Sequence, residues 1–182
     1  MITDVTTYYL EMTDPSVLRP KRVVHCGLEI KQAHVPSPEF NRFLYTAVGG
    51  DWYWIDRLPW TYQQWRDWVA RPALHTWVAY VSGTPAGYFE LEAQADSNVE
   101  IAFFGLLPLF TGQGLGGNLL TIAIETAWQM GASRVWLHTC TLDHPAALAN
   151  YCARGFRVFR EDTTTQDVPD APLGPWPGAH RR

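Results

Sequence analysis

Residues 111–117 read Thr111-Gly112-Gln113-Gly114-Leu115-Gly116-Gly117, and the reading of the chain turns on them. They lie between an apolar strand pattern, Val99 to Leu106, and a long amphipathic helix pattern, Gly114 to Met130. Closely spaced glycines let the backbone approach a ligand and aim several N–H groups at one spot. The start of the helix adds the positive end of its dipole, so the turn is an anion site suited to a pyrophosphate. Two ligand classes compete for it. Gly112, Gly114 and Gly117 fit G-x-G-x-x-G, the dinucleotide fingerprint. That reading wants an acidic residue about twenty residues on and several βα repeats. Asp143 falls 26 residues past Gly117, and one βα repeat follows the turn, which weighs against a nicotinamide domain.

Working outward, Leu115, Leu119, Ile122 and Met130 predict the buried stripe of the long helix, closed by Gly131. Upstream the pattern predicts a strand over Thr76 to Val81, a turn at Ser82-Gly83, and strands over Ala86 to Glu92 and Val99 to Leu106. Downstream come a strand over Arg134 to Cys140, a helix from Pro145 to Arg154 ended by Gly155, and a strand over Phe156 to Arg160. The N-terminal third predicts strands over Thr6 to Met12 and Val23 to Lys31, then helices over Pro38 to Val48, capped by Ser37, and Thr61 to Val69, capped by Thr61. Consecutive strands early and βαβα late describe an α/β (α+β) fold with a mixed sheet, part antiparallel and part parallel. The expected division is one domain over 1–161 and a Pro-rich C-terminal tail over 162–182.

The second informative stretch is Asp143-His144-Pro145-Ala146 followed by Tyr151-Cys152-Ala153-Arg154-Gly155-Phe156. With Thr111-x-x-Gly114-x-Gly116 it resembles the paired motifs of the GNAT acyltransferase superfamily, Q/R-x-x-G-x-G/A and N-x-x-A…Y-x-x-x-G-F. Thr111 and Asp143 depart from the usual Gln/Arg and Asn. The resemblance covers about Thr76 to Glu161, including the order of elements. It implies a GNAT-like mixed, mostly antiparallel central sheet flanked by helices, acetyl-CoA as cosubstrate and N-acetyl transfer to an amine. Thr111, Gly112, Gln113, Gly114, Leu115, Gly116, Asp143 and Arg154 would line the coenzyme, and backbone from Phe104 to Leu106 would face pantetheine and the oxyanion.

Acyl transfer to an amine needs a proton acceptor, because an ammonium with a pKa of about 10.4 is not a nucleophile. Glu100 is the candidate base, on a strand that resembles the one carrying the general-base Glu in the histone-acetylating GNAT enzymes. Glu90 and Glu92, two apart on the neighbouring strand, share a face. They are the fallback base or an anionic wall. The resemblance implies Tyr151 as the acid for the leaving thiolate, as the corresponding Tyr is in many GNAT enzymes, and a phenol can donate while staying neutral. The aromatic run is unusual, with Trp52, Trp54 and Trp60 in a loop beside Asp51, Asp56 and Arg57; the resemblance implies that this region walls the acceptor pocket. Aromatic faces next to carboxylates suit a cationic or aromatic amine.

Composition narrows the rest. Hydrophobic residues make up 47% and charged residues 18%, which excludes a disordered chain. Fourteen basic against eighteen acidic side chains, net −4, leave no basic footprint for nucleic acid. The longest apolar run, Ile101 to Phe110, is too short for a membrane span. Cys26, Cys140 and Cys152 are an odd count without C-x-x-C spacing. They argue for a reducing cytoplasm rather than disulfides, and with scattered His they offer no metal site. The expected partner is a small-molecule or peptide amine, with a homodimer left open. The alternative from another class is a catalytically silent acyl-CoA-binding or sensing module, for which Glu100 and Tyr151 need not face the thioester.

Overall fold

The computed structural model describes residues 1–24 and 27–179, so Cys26 and part of the expected strand over Val23 to Lys31 lie outside the described residues. Seven strands form one sheet: β1 Ile2–Met12, β2 Leu28–Gln32, β3 Leu74–Val81, β4 Thr84–Ala93, β5 Asn98–Leu106, β6 Arg134–Cys140 and β7 Arg157–Asp167. Four helices flank it: α1 Pro38–Gly49, α2 Tyr62–Val69, α3 Leu115–Gln129 and α4 Ala147–Arg154. The strand order is β2-β3-β4-β5-β6-β1-β7. Every neighbouring pair is antiparallel except β5 and β6. No helix among the described residues is long and apolar enough to cross a membrane.

Local chemistry accounts for the helix ends. Ser37 Oγ accepts from Phe40 N, with Pro38 at the first helical position. Thr61 and Gln64 form a reciprocal capping box. Gly155 closes α4 at φ +109°, a conformation that favours glycine.

The two sheet faces carry different helices. Leu119, Leu120, Ala123, Ile124 and Ala127 of α3 pack with Leu10, Phe89, Leu91, Val99, Ile101 and Leu137 on one face. Leu44 and Val48 of α1 pack with Val78 and Tyr88 on the other. The buried stripe of α3 is therefore rotated from the expected one. Ile122 and Met130 are only half-buried, because the face aimed at the sheet follows Leu120 and Ile124.

The C-terminal boundary also differs. The expected tail began at residue 162, yet β7 continues to Asp167, pairing Asp162 with Thr7 and Asp167 with Ile2. Its polar run Thr163-Thr164-Thr165-Gln166 shows no apolar alternation because β7 is an edge strand exposed along nearly its whole length. Beyond it Val168 is buried, and Gly174 N donates to Gly50 O.

Candidate active site

The site begins where two parallel strands part. β5 and β6 pair only at Asn98↔Arg134, Val99↔Val135 and Glu100↔Trp136, and past Glu100 the ladder ends. A cleft of about 950 Å³ fills the opening and runs from the glycine turn to the aromatic loop. Across β5, Ala102 is an extra residue: Glu90 pairs with Phe103 and Leu91 with Ile101. Such a bulge shifts the side-chain phase. Ile101 thus joins the α3 face, Phe103 the α1 face, and Phe104 packs back against the α3 face.

At one end is an anion cradle. Gly112 and Gly114 have φ of +76° and +78°. Gly114 caps α3 without a side-chain acceptor, so the first N–H groups of the helix are left for a ligand. Thr111 Oγ1 and Gln113 Nε2 donate back to Pro108 O and Leu109 O. Two cations converge on the helix start. A Cβ at Gly117 would meet Arg154 Nη1 at 2.5 Å and Lys21 Cδ at 2.6 Å, so both side chains cross the helix where glycine leaves room. Lys21 is held there by its N–H to Thr121 Oγ1, 2.9 Å, and Arg19 N donates to Arg154 O. Arg154 Nε is buried without a partner. Helix N–H groups, two cations and an unmet donor fit a pyrophosphate.

The middle of the cleft carries the titratable groups. Glu100 is 9% exposed. Its Oε2 accepts from Gln94 Nε2 at 2.8 Å, and its Oε1 lies 3.3 Å from His138 Nδ1. Gln94 is held in turn by Trp136 Nε1. Tyr151, on α4, packs edge-on to Phe104 from the α3 side. Glu100 opposes Glu92 in the ladder and so lies on the α1 face. The two groups therefore flank the split from opposite faces. Burial pushes the Tyr151 phenol far above the usual tyrosine range, and Asp143 adds to the shift, so it stays protonated. Burial likewise raises the Cys140 thiol, which lines the same cleft.

The far end is walled by Tyr45, Trp52, Trp54, Trp68 and Phe103, with Asp56, Arg57 and Glu92. Several expected site residues meet here, among them Trp52, Trp54, Glu92, Glu100, Phe104, Leu106, Asp143, Tyr151 and Arg154, with Thr111, Gly112, Gly114 and Gly116 at the cradle. Others do not. Glu90 is 1% exposed and is consumed by Asn41 Nδ2 at 2.9 Å, Trp68 Nε1 at 3.0 Å and Arg57 at 3.7 Å, so it is neither wall nor base. Trp60 stays outside the cleft, packed on Trp65 and Trp68. Leu115 is a core side chain with Ala86 and Phe110, and Gln113 folds back on Leu109, leaving only their backbone for a ligand. Asp143 does not reach outward: it accepts from Trp54 Nε1 at 3.1 Å, Thr139 Oγ1 at 2.6 Å and Cys140 N at 3.1 Å. It ties the aromatic loop to the loop before α4. No sequence signal marks Lys21, whereas Arg57 stands beside the expected acceptor wall and His138 flanks the expected site. Lys21 precedes any motif, and Arg57 and His138 reach the cleft only through the loop path and the sheet register.

Comparison with known proteins agrees with this architecture. A model of the Acetyltransferase (GNAT) family matches residues 40–156. No curated protein sequence matches significantly. Among solved structures, a GCN5-related N-acetyltransferase from Kribbella flavida is 21% identical with a TM-score of 0.64, over 92% of this chain and 61% of its own. A GCN5-related N-acetyltransferase from Sphaerobacter thermophilus is 14% identical with a TM-score of 0.66, over 93% of this chain and 54% of its own. An aminoglycoside acetyltransferase from an uncultured soil metagenomic sample, solved with trehalose, is 15% identical with a TM-score of 0.59, over 70% of this chain and 87% of its own. At these identities the likeness is one of fold, and the chain spans just over half the length of the first two structures. With the family match covering well over half of its residues, the chain belongs to the GNAT acetyltransferase family.

Proposed function

We propose that this protein transfers an acetyl group from acetyl-CoA to the amine of a small molecule or peptide, directly within a ternary complex. The observation that carries the reading is the split between β5 and β6, flanked by Glu100 on one face and Tyr151 on the other and reached from the glycine cradle. Acetyl-CoA supplies a thioester and leaves as a thiol. The α3 N-terminus, Lys21 and Arg154 hold its phosphates. Glu100, oriented by Gln94 and next to His138, accepts the proton the amine loses. Tyr151 keeps a proton at its hydroxyl for the departing sulfur. Cys140, held as a thiol, is a poor acyl carrier, which favours direct transfer over an acyl-enzyme.

The test is ligand-induced stabilisation followed by turnover. Acetyl-CoA at a hundred times its Kd stabilises by about 2.7 kcal/mol, or roughly 5–10 °C in Tm for a chain of this size. Gly114→Asp places a carboxylate among the phosphates and abolishes the shift. A Tm unmoved by acetyl-CoA but raised by a nicotinamide dinucleotide overturns the reading. Stabilisation without acetylation of any amine selects the silent binding module instead.

A further inference from the structure

We infer that the Arg57 guanidinium receives a carboxylate of the acceptor, so that the molecule acetylated here carries an amine and a carboxylate together. The inference rests on the acetyl-transfer reading and specifies its acceptor. Arg57 lies in the loop between α1 and α2, lines the acceptor end of the cleft, and is 9% exposed. Its Cζ sits 3.7 Å from the Trp68 ring centre, 4.2 Å from Phe103 and 4.7 Å from Trp60. Aromatic rings thus cover the plane and leave the edge, where the N–H groups are, as the part that can be bonded.

That edge is not used by the protein. No side-chain hydrogen bond from Arg57 is formed among the described residues: Nη1, on the Glu90 side, is buried without a partner, while Nε and Nη2 are unbonded and not fully buried. Glu90 does not fill the role. Its Oε2 stands 3.7 Å from Nη1, and its two oxygens already accept from Asn41 and Trp68. Glu90 offsets charge while leaving the guanidinium donors unmet. A largely buried guanidinium short of acceptors is costly, and at the cleft wall a ligand oxygen can meet the accessible Nε and Nη2.

The rest of the lobe narrows the ligand. The neighbouring cation Arg71, outside this lining, donates to Glu92 at 2.5 Å and is stacked on Trp68. One free fork, with Glu90 3.7 Å away and Asp56 and Glu100 lining the same cleft, suits a single carboxylate better than a doubly charged phosphate. The acceptor amine faces Glu100 and its acid group faces Arg57, so a zwitterion matches both charges. This departs from the cationic or aromatic amine expected from the aromatic loop.

Matched pairs test this: amino acids of increasing amine-to-carboxylate spacing and dipeptides, each against its own C-terminal amide. Binding to the full chain with CoA present is read by calorimetry, and acetylation by thiol release. For at least one spacing, the carboxylate is expected to bind about ten- to a hundredfold more tightly than its amide. Arg57→Lys keeps a charge beside Glu90 but loses the fork. The double variant Arg57→Gln, Glu90→Gln leaves no lone buried charge and covers the case where the single change fails to fold. Each is expected to erase the discrimination by raising KM for the carboxylate and not for the amide. Amides binding as well as carboxylates throughout, no binding of either, or discrimination surviving in both variants overturns the inference. Carboxylate-selective binding lost with Arg57, but without acetylation, upholds it and overturns the transfer reading instead.

Discussion

Asp143→Asn changes one carboxylate oxygen to an amide nitrogen and separates two roles for this residue. In the structure Oδ1 accepts from Trp54, while Oδ2 accepts from both Thr139 and Cys140. An amide keeps one acceptor oxygen. Satisfying the Thr139 and Cys140 pair turns its NH₂ toward the indole N–H, donor against donor, and the tether to the aromatic loop is lost. A hydrogen bond to a charged group is worth about 1.5–3 kcal/mol. Asp143 and Trp54 are both half-buried, so we expect about 1–2 kcal/mol, or a Tm lower by roughly 2–8 °C. Trp54 also packs on Tyr45 and Phe103 at the acceptor end, so loosening it should raise the acceptor KM severalfold. Acetyl-CoA affinity should hold. Thermal melts with and without acetyl-CoA, together with steady-state kinetics, read all three quantities. A variant with unchanged Tm and acceptor KM but weakened acetyl-CoA binding would refute the reasoning and return Asp143 to the coenzyme.

Three further outcomes are expected. Glu100→Gln should lower kcat by about 10²–10⁴ with acetyl-CoA binding intact; if Glu92→Gln shows that loss and Glu100→Gln does not, the base lies elsewhere. An acid works only while protonated, and burial holds the Tyr151 proton far beyond the ordinary tyrosine range. The pH–rate profile should therefore show no falling limb near pH 10, and such a limb abolished by Tyr151→Phe contradicts this. Gly49→Ala would place a Cβ 2.2 Å from Trp54 Cδ2. We expect a destabilisation of about 1–3 kcal/mol by melting and a raised acceptor KM, whereas a silent substitution would show that Trp54 has room to move.

Much of the fold could be read locally. Ser37, Thr61 and Gly155 act within a turn of their own helices, and each does in the structure what its residue type favours. The glycine turn and the Tyr151–Phe156 stretch were legible for the same reason: close backbone approach and a helix start are short-range geometry. What failed depended on distant partners. Nothing in Ile2–Met12 says that β1 lies between β6 and β7. The pattern marks β7 only as far as Arg160, and its polar continuation over 161–167 carries no strand signal because an edge position asks for no apolar face.

The site divides along the same line. Residue type and spacing nominated Glu100, Tyr151 and the glycines, because a base, an acid and an anion cradle each need particular side chains or none. Glu90 and Glu92 look equivalent in sequence, two apart on one face. Only packing under α1 and α2 gives Glu90 to Asn41, Trp68 and Arg57 and leaves Glu92 at the cleft with Arg71. Lys21 and Arg154, far apart in the chain, meet over Gly117 for the same reason. Local sequence settled the elements and the chemistry on offer, since periodicity, caps and turns act over a few residues. Tertiary structure decided which of those groups face one another, since burial and charge pairing depend on segments that only folding brings together.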